Sequence, residues 1–141
     1  MKCKGFCRLA LSLGLLVAAM PAWAHHSFAA AFDRDKVIAV QAVVTEVKWE
    51  NPHTLIYVDA KDESGHVTKW TFESLPPGVL YRKGLRQNVL KPGAEVTMKG
   101  HRALHDSTFA EVSLIEFPDG RSFCVPASLT SYICESTGEY R

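Results

Sequence analysis

Past an apolar opening, hydrophobic and polar positions along the chain settle into a strand-like alternation that turn residues interrupt. The run VIAVQAVVTEVKW, from Val37 to Trp49, is rich in β-branched residues and sets Val43, Val47 and Trp49 on one face, which predicts a long strand. Asn51-Pro52 ends it, because proline fixes its own φ and pushes the residue before it towards extended backbone. TLIYVDAK, from Thr54, alternates Ile56, Val58 and Ala60 against Leu55, Tyr57 and Asp59 and predicts a second strand. Asp62 to Gly65 supplies a turn, and VTKWTFE returns with Trp70 and Phe72 on one face, completing a hairpin.

The next segment, SLPPGVLYRKGLRQ, changes character. Ser74 can cap, the prolines suit a first helical turn and Gly84 suits a helix end, so a short helix is expected. Lys91-Pro92-Gly93 makes a turn, AEVTMKGHRA reads as a fourth strand and TFAEVSLIEF as a fifth, ended by Pro118-Asp119-Gly120. The tail from Ser122 has no period. An all-β chain of three strands, a short helix and two more strands has the order of the OB-fold, a small five-stranded barrel. A five- or six-stranded sandwich is the alternative. The expected organisation is a signal peptide at 1–24, an N-terminal arm at 25–36, an OB-like β-barrel at 37–121 and a C-terminal tail at 122–141.

The opening itself sets the compartment. Lys2, Lys4 and Arg8 precede the apolar run LALSLGLLVAAM, then Pro21 and the triplet Ala22, Trp23, Ala24, which is the order of a secretory signal peptide. A 12-residue apolar run is short for a bilayer core that needs roughly 20 residues. A periplasmic or secreted protein with no stable membrane anchor is therefore expected. Cleavage after Ala24 leaves 117 of the 141 residues, enough for one small domain, and removes three of the 16 basic residues, leaving 13 against 15 acidic ones. A net charge near −2 with no basic stripe argues against nucleic acid as a partner. Cys124 and Cys134, separated by nine residues in an oxidising compartment, read as a disulfide in preference to a thiolate metal pair.

These residues also resemble a known family. The mature start HHSFAAAFD, the tripeptide Asn51-Pro52-His53, the segment WTFE ending at Glu73, the turn from Arg82 to Gly84 and LKPG from Leu90 look like the small exported bacterial proteins grouped as domain of unknown function family 6152. The resemblance covers roughly residues 25–121. It implies an exported single domain with an OB-like barrel and marks His25, His26, Asn51, His53 and Glu73 as motif positions without assigning roles. The tail with its two cysteines departs from the usual family ending, so its disulfide is not carried over to relatives.

The chemistry centres on histidine. With His25 as first residue, a free α-amino group and an imidazole can chelate one metal ion, and His26 adds a second imidazole. An amine with imidazoles suits borderline divalent metals, for which the affinity order puts Cu(II) highest. Copper is the expected cofactor. The amine titrates near 7.7 and histidine near 6.5, so binding is expected to weaken in mild acid. His53, behind the proline break, is the expected third ligand, and Asn51 is placed to hydrogen-bond its ring and fix its tautomer. His101, with His105 four residues on, lies near the end of the fourth strand and is the other barrel candidate, whereas His66 reads as an exposed turn residue. Structural readings weigh against these: a polar chain end tolerates almost anything, and a strand-ending histidine can simply cap a carbonyl. Phe28 and Phe32, with Asp33, suggest that the arm packs onto the barrel.

No enzymatic activity is expected. Glu46, Glu50, Asp59 and Glu73 show no spacing that singles out an acid/base pair, and Ser27 beside His26 lacks the orienting third group that a nucleophile needs. The alternative function is a metal-independent periplasmic binding module that holds a peptide, glycan or small ligand on the barrel face, with Trp49, Tyr57, Trp70 and Phe109 as stacking surface.

Overall fold

The structure, a computed structural model, describes residues 28–125. The leader expected at 1–24, the paired histidines His25 and His26, and the tail beyond residue 125 with Cys134 lie outside the described residues. In chain order the elements are α1 (Phe28–Ala31), β1 (Phe32–Lys48), β2 (Thr54–Lys61), β3 (Val67–Ser74), α2 (Pro77–Arg82), β4 (Glu95–Ala103), β5 (Phe109–Glu116) and β6 (Ser122–Cys124). The sheet runs β3-β2-β1-β4-β5-β6, and β3 also pairs in parallel with β5, which closes β1-β2-β3-β5-β4 into a five-stranded ring. With a helix between β3 and β4, this is the OB arrangement expected from the strand order.

Turn chemistry sets the hairpins. The Asp62 carboxylate accepts from the backbone N–H of Ser64 and of His66 at 3.0 and 2.9 Å, and Gly65 takes φ +87°, so β2 and β3 pair in register from Thr54↔Ser74 to Lys61↔Val67. Asp106 plays the same part between β4 and β5, accepting from the Thr108 N–H at 2.8 Å.

Inside the ring, Val44, Ile56, Val58, Phe72, Met98 and Val112 form a core that leaves each at most 1% exposed. Burying each such side chain contributes roughly 1.5–3 kcal/mol. Helix α2 and the loop after it add Leu80, Leu85 and Leu90, all fully buried against that core. Pro77 occupies the first helical turn as expected, but the cap does not come from Ser74. Pro76 is the N-cap residue and makes no side-chain cap hydrogen bond, because Ser74 is still in β3 and is itself fully buried.

The long first strand departs from simple alternation. Val44 pairs with Val58 and Glu46 with Tyr57, so Thr45 is the extra residue of a bulge. One inserted residue reverses which side chains face inward. Ile38, Val40, Ala42 and Val44 face the core before the bulge and Val47 and Trp49 after it, leaving Val43 42% exposed rather than on the face of Val47. The strand also starts at Phe32 rather than Val37, since Phe32 pairs with Ala103 across an irregularity that the polar run DRDK conceals from a periodicity reading. Two further elements exceed the expectation. The arm contains the single turn α1, and Ser122–Cys124 forms β6 along Leu114–Glu116, too short to show a period. Among the described residues, no helix is long and apolar enough to cross a membrane.

Candidate functional site

Glycine fixes where the site forms. A Cβ at Gly100 would lie 1.8 Å from the Glu111 carbonyl oxygen, so β4 and β5 approach there more closely than any side chain permits. The ladder pairs Gly100 with Val112 and His101 with Glu111, with Ser113 as the extra residue before Leu114 pairs with Lys99. Gly100, Ala110 and Val112 are on the core side of the ring, so His101 and Glu111 are on its outer side. That outer side is nonetheless covered: the side chains of His101 and Glu111 are 3% and 0% exposed.

A buried carboxylate needs partners, because desolvation strongly disfavours an unpaired charge. Glu111 Oε1 lies 2.6 Å from His101 Nδ1 and accepts the Ser113 hydroxyl at 2.5 Å. Its other oxygen, Oε2, is buried and has no hydrogen-bond partner among the described residues. The order is histidine–glutamate–serine. The Ser113 hydroxyl donates its hydrogen bond to the carboxylate, whereas in a hydrolytic triad the hydroxyl donates to the imidazole.

The cover over this trio includes the N-terminal arm. Phe28 meets the His101 ring edge-on with centroids 5.4 Å apart, Phe28 contacts Phe32 at 5.5 Å, and Phe32 stacks on Phe109 at 5.9 Å. The Ala31 carbonyl accepts from the Leu104 N–H at 3.0 Å, tying the end of α1 to the β4–β5 hairpin. Packing of the arm through its spaced phenylalanines is thus present.

A second histidine–glutamate pair lies in the same row. Glu73 is the parallel partner of Glu111 and, with Phe72 inward, also faces out. His53 Nδ1 sits 3.0 Å from Glu73 Oε1, with side chains 35% and 24% exposed. The contact has an ion-pair distance but lacks the alignment of a hydrogen bond. His53, Glu73, Glu111 and His101 thus run across β2's leading edge, β3, β5 and β4. Like charges directly opposite each other on neighbouring strands destabilise a sheet, and each of these carboxylates has a histidine ring nitrogen within 3.0 Å.

The sequence candidates fall differently. His53 is at the row, but the group at its Nδ1 is the Glu73 carboxylate; Asn51 is exposed and makes no hydrogen bond among the described residues. His66 is an exposed turn residue beside Asp62, as expected, and His105 is exposed on the β4–β5 loop. Among the described residues no three His, Cys, Asp or Glu side chains converge as a metal-binding group. Cys124 is disulfide-bonded, while its expected partner Cys134 lies outside the described residues. Glu111 and Ser113 escaped the sequence reading. The available signal was a glutamate inside an otherwise apolar strand, placed symmetrically with His101 about the Asp106 turn.

The aromatic face is largely engaged. Trp49 stacks on Tyr81 at 5.5 Å, Lys48 sits 5.2 Å over Tyr57, and Trp70 stacks on Phe72 at 5.9 Å. An open groove of about 420 Å³ lies elsewhere, lined by residues including Gln41, Asp59, Lys61, Glu95 and Glu116, and none of the four candidate stacking aromatics borders it.

Residues 13–110 match the family of unknown function DUF6152. The chain belongs to that family. The DUF6152 match takes in His53, Glu73 and His101 and ends one residue before Glu111, so the family span includes both histidines of the row and only one of its carboxylates. No curated protein and no solved structure matches the chain.

Proposed function

We propose that this DUF6152 protein is exported, loses residues 1–24, and binds a transition metal, Cu(II) first, through His25 and His26 together with an imidazole of the His53–His101 row. Its role is non-catalytic. The observation that supports this reading is the edge-on contact of Phe28 with His101 at 5.4 Å. His26 and His25 precede Phe28 by two and three residues, a chain reach of at most about 10 Å, so the covalent chain lets either meet the row. The amine and imidazole of His25 supply a chelate, and the row supplies imidazoles whose Nδ1 faces a carboxylate, as metal-binding histidines commonly do.

A competition titration with Cu(II) tests this, using protein whose first residue is His25 beside the same protein with its amino terminus acetylated. Sub-micromolar binding that weakens at least about tenfold on acetylation is expected, since acetylation removes the amine ligand. Weak binding indifferent to acetylation would contradict it. The metal-independent binding module receives less support, because its aromatic residues are stacked on other rings or under a cation and do not border the groove.

A further inference from the structure

We propose that the open edge of β1 binds an extended peptide, which pairs along residues 37–41 as an added strand and sets a lysine or arginine into the acidic groove where that edge ends. The site uses main chain and charge rather than the aromatic face, involves no metal, and is independent of the copper reading.

The edge comes from how β1 is shared. β4 pairs with it from Val37↔His101 to Val43↔Glu95, whereas β2 joins only at Ala42↔Ala60 and ends at Lys61. Residues 37–41 therefore have a strand on one side and, among the described residues, no main-chain partner on the other. In an antiparallel pair alternate residues direct N–H and C=O away from the partner, so this side presents donors and acceptors in a row. Open edges are ordinarily blunted by lysine, proline or an inward charge. Residues 37–43, VIAVQAV, contain none of these, and the valines at the two ends are 46% and 42% exposed. An added strand satisfies the main chain and covers the valines together.

The groove of about 420 Å³ specifies the charge of the occupant. Gln41 belongs both to the edge and to its lining. Val43 pairs with Asp59 on one side and Glu95 on the other, and directly paired residues share a face, so the bulge that turns Val43 outward also flanks it with two carboxylates. Asp59 and Glu95 form no hydrogen bond or ion pair among the described residues, whereas Glu116 in the same lining is held by Lys99 at 2.9 Å. Against them the lining carries one cation, Lys61. A basic side chain can lay its methylenes on Val43 and bring its charge to the carboxylates. A second copy of the chain fits less well. The segment it would bring to the groove, Asp33 to Lys36, has two charges of each sign, and Lys36 is already held by Asp33 at 3.1 Å.

Random peptides of about nine residues, enough to span the edge at roughly 3.4 Å per residue, are displayed on phage and selected on protein beginning at His25 with a chelator present. Enriched peptides are expected to share a lysine or arginine at one position and, added to the protein, to slow hydrogen exchange at alternate amides of residues 37–41. N-methylation of alternate peptide amides is expected to weaken binding at least about tenfold, and so is the double substitution Asp59→Asn with Glu95→Gln. No enrichment, enriched peptides without a basic residue, or protection confined to other strands would overturn the proposal. Exchange at residues 37–41 that slows with protein concentration alone would give the edge to a second copy and overturn it too. The N-methylated peptides act on the unsubstituted protein, so they decide the matter even if the double variant misfolds.

Discussion

Two histidine–glutamate pairs lie side by side on this barrel and have different characters. His101–Glu111 is buried, short and braced by Ser113, under a phenylalanine from the arm. His53–Glu73 is at the rim, roughly a third and a quarter exposed, and longer. The difference comes from how each pair is brought together. Hairpin register and a glycine contact fix the first, whereas a loop behind Pro52 delivers the second to its strand partner. The same chemical pair is thus a buried fixture in one place and a partly exposed contact in the other.

Removing one member of the buried pair should show this most strongly. Glu111→Ala leaves His101 and Ser113 without their shared acceptor, and breaking a buried pair in this way costs about 3–5 kcal/mol, measurable as a fall in the urea midpoint at unchanged slope. Gly100→Ala attacks the same pair from the core side. A methyl 1.8 Å from the Glu111 carbonyl forces β4 and β5 apart, at or beyond the upper end of the ~1–3 kcal/mol typical of overpacking. An unaltered denaturation midpoint for that variant would contradict the close approach.

Phe28→Ala probes the cover. Losing this half-buried ring should cost about 1–2 kcal/mol, part of the 1.5–3 kcal/mol of a fully buried one. Hydrogen exchange should rise at the Leu104 amide, which bonds to Ala31. The rim pair should matter least of the two. His53→Ala or Glu73→Gln should change stability by less than about 1 kcal/mol, as for exposed ion pairs. A loss comparable to that of Glu111→Ala would erase the distinction between the pairs.

A smaller effect concerns pH and lies away from both pairs. The Ser64 hydroxyl, followed by the backbone N–H groups of His66, Ser64 and Gly65, holds the Asp62 carboxyl below its ordinary value of 3.8. A folded value below the unfolded one stabilises above about pH 4 and ceases to do so as pH falls through the folded value. The gap in urea midpoint between the unsubstituted protein and Asp62→Ala should therefore narrow from about pH 6 to about pH 2.5. A gap that widens in acid would reverse the sign.

What could be read from the sequence follows the same division. The hairpin β2–β3 was legible to the residue at its start, because alternation was clean and Asp62 to Gly65 marked the turn. The OB order followed from strand and helix count. Periodicity missed the bulge at Thr45, since an inserted residue changes facing without changing composition, and so put Val43 on the wrong face. At the site, His53 and Glu73 stood out through the motif, and the β2–β3 register that sets Glu73 opposite Leu55 brings them together. Glu111 and Ser113 were hidden because strand propensity says nothing of which polar residue is buried. The parallel pairing of β3 with β5, a contact between residues far apart in the chain, makes one row of the two pairs.

The most direct test of the account is a crystal structure of Cu(II)-loaded protein beginning at His25, with anomalous scattering measured at the copper edge. The proposed function predicts one strong peak bonded to His25 and within about 2 Å of an imidazole nitrogen of the His53–His101 row. Copper remote from both histidines of the row, or no ordered copper at all, would contradict the metal-binding reading.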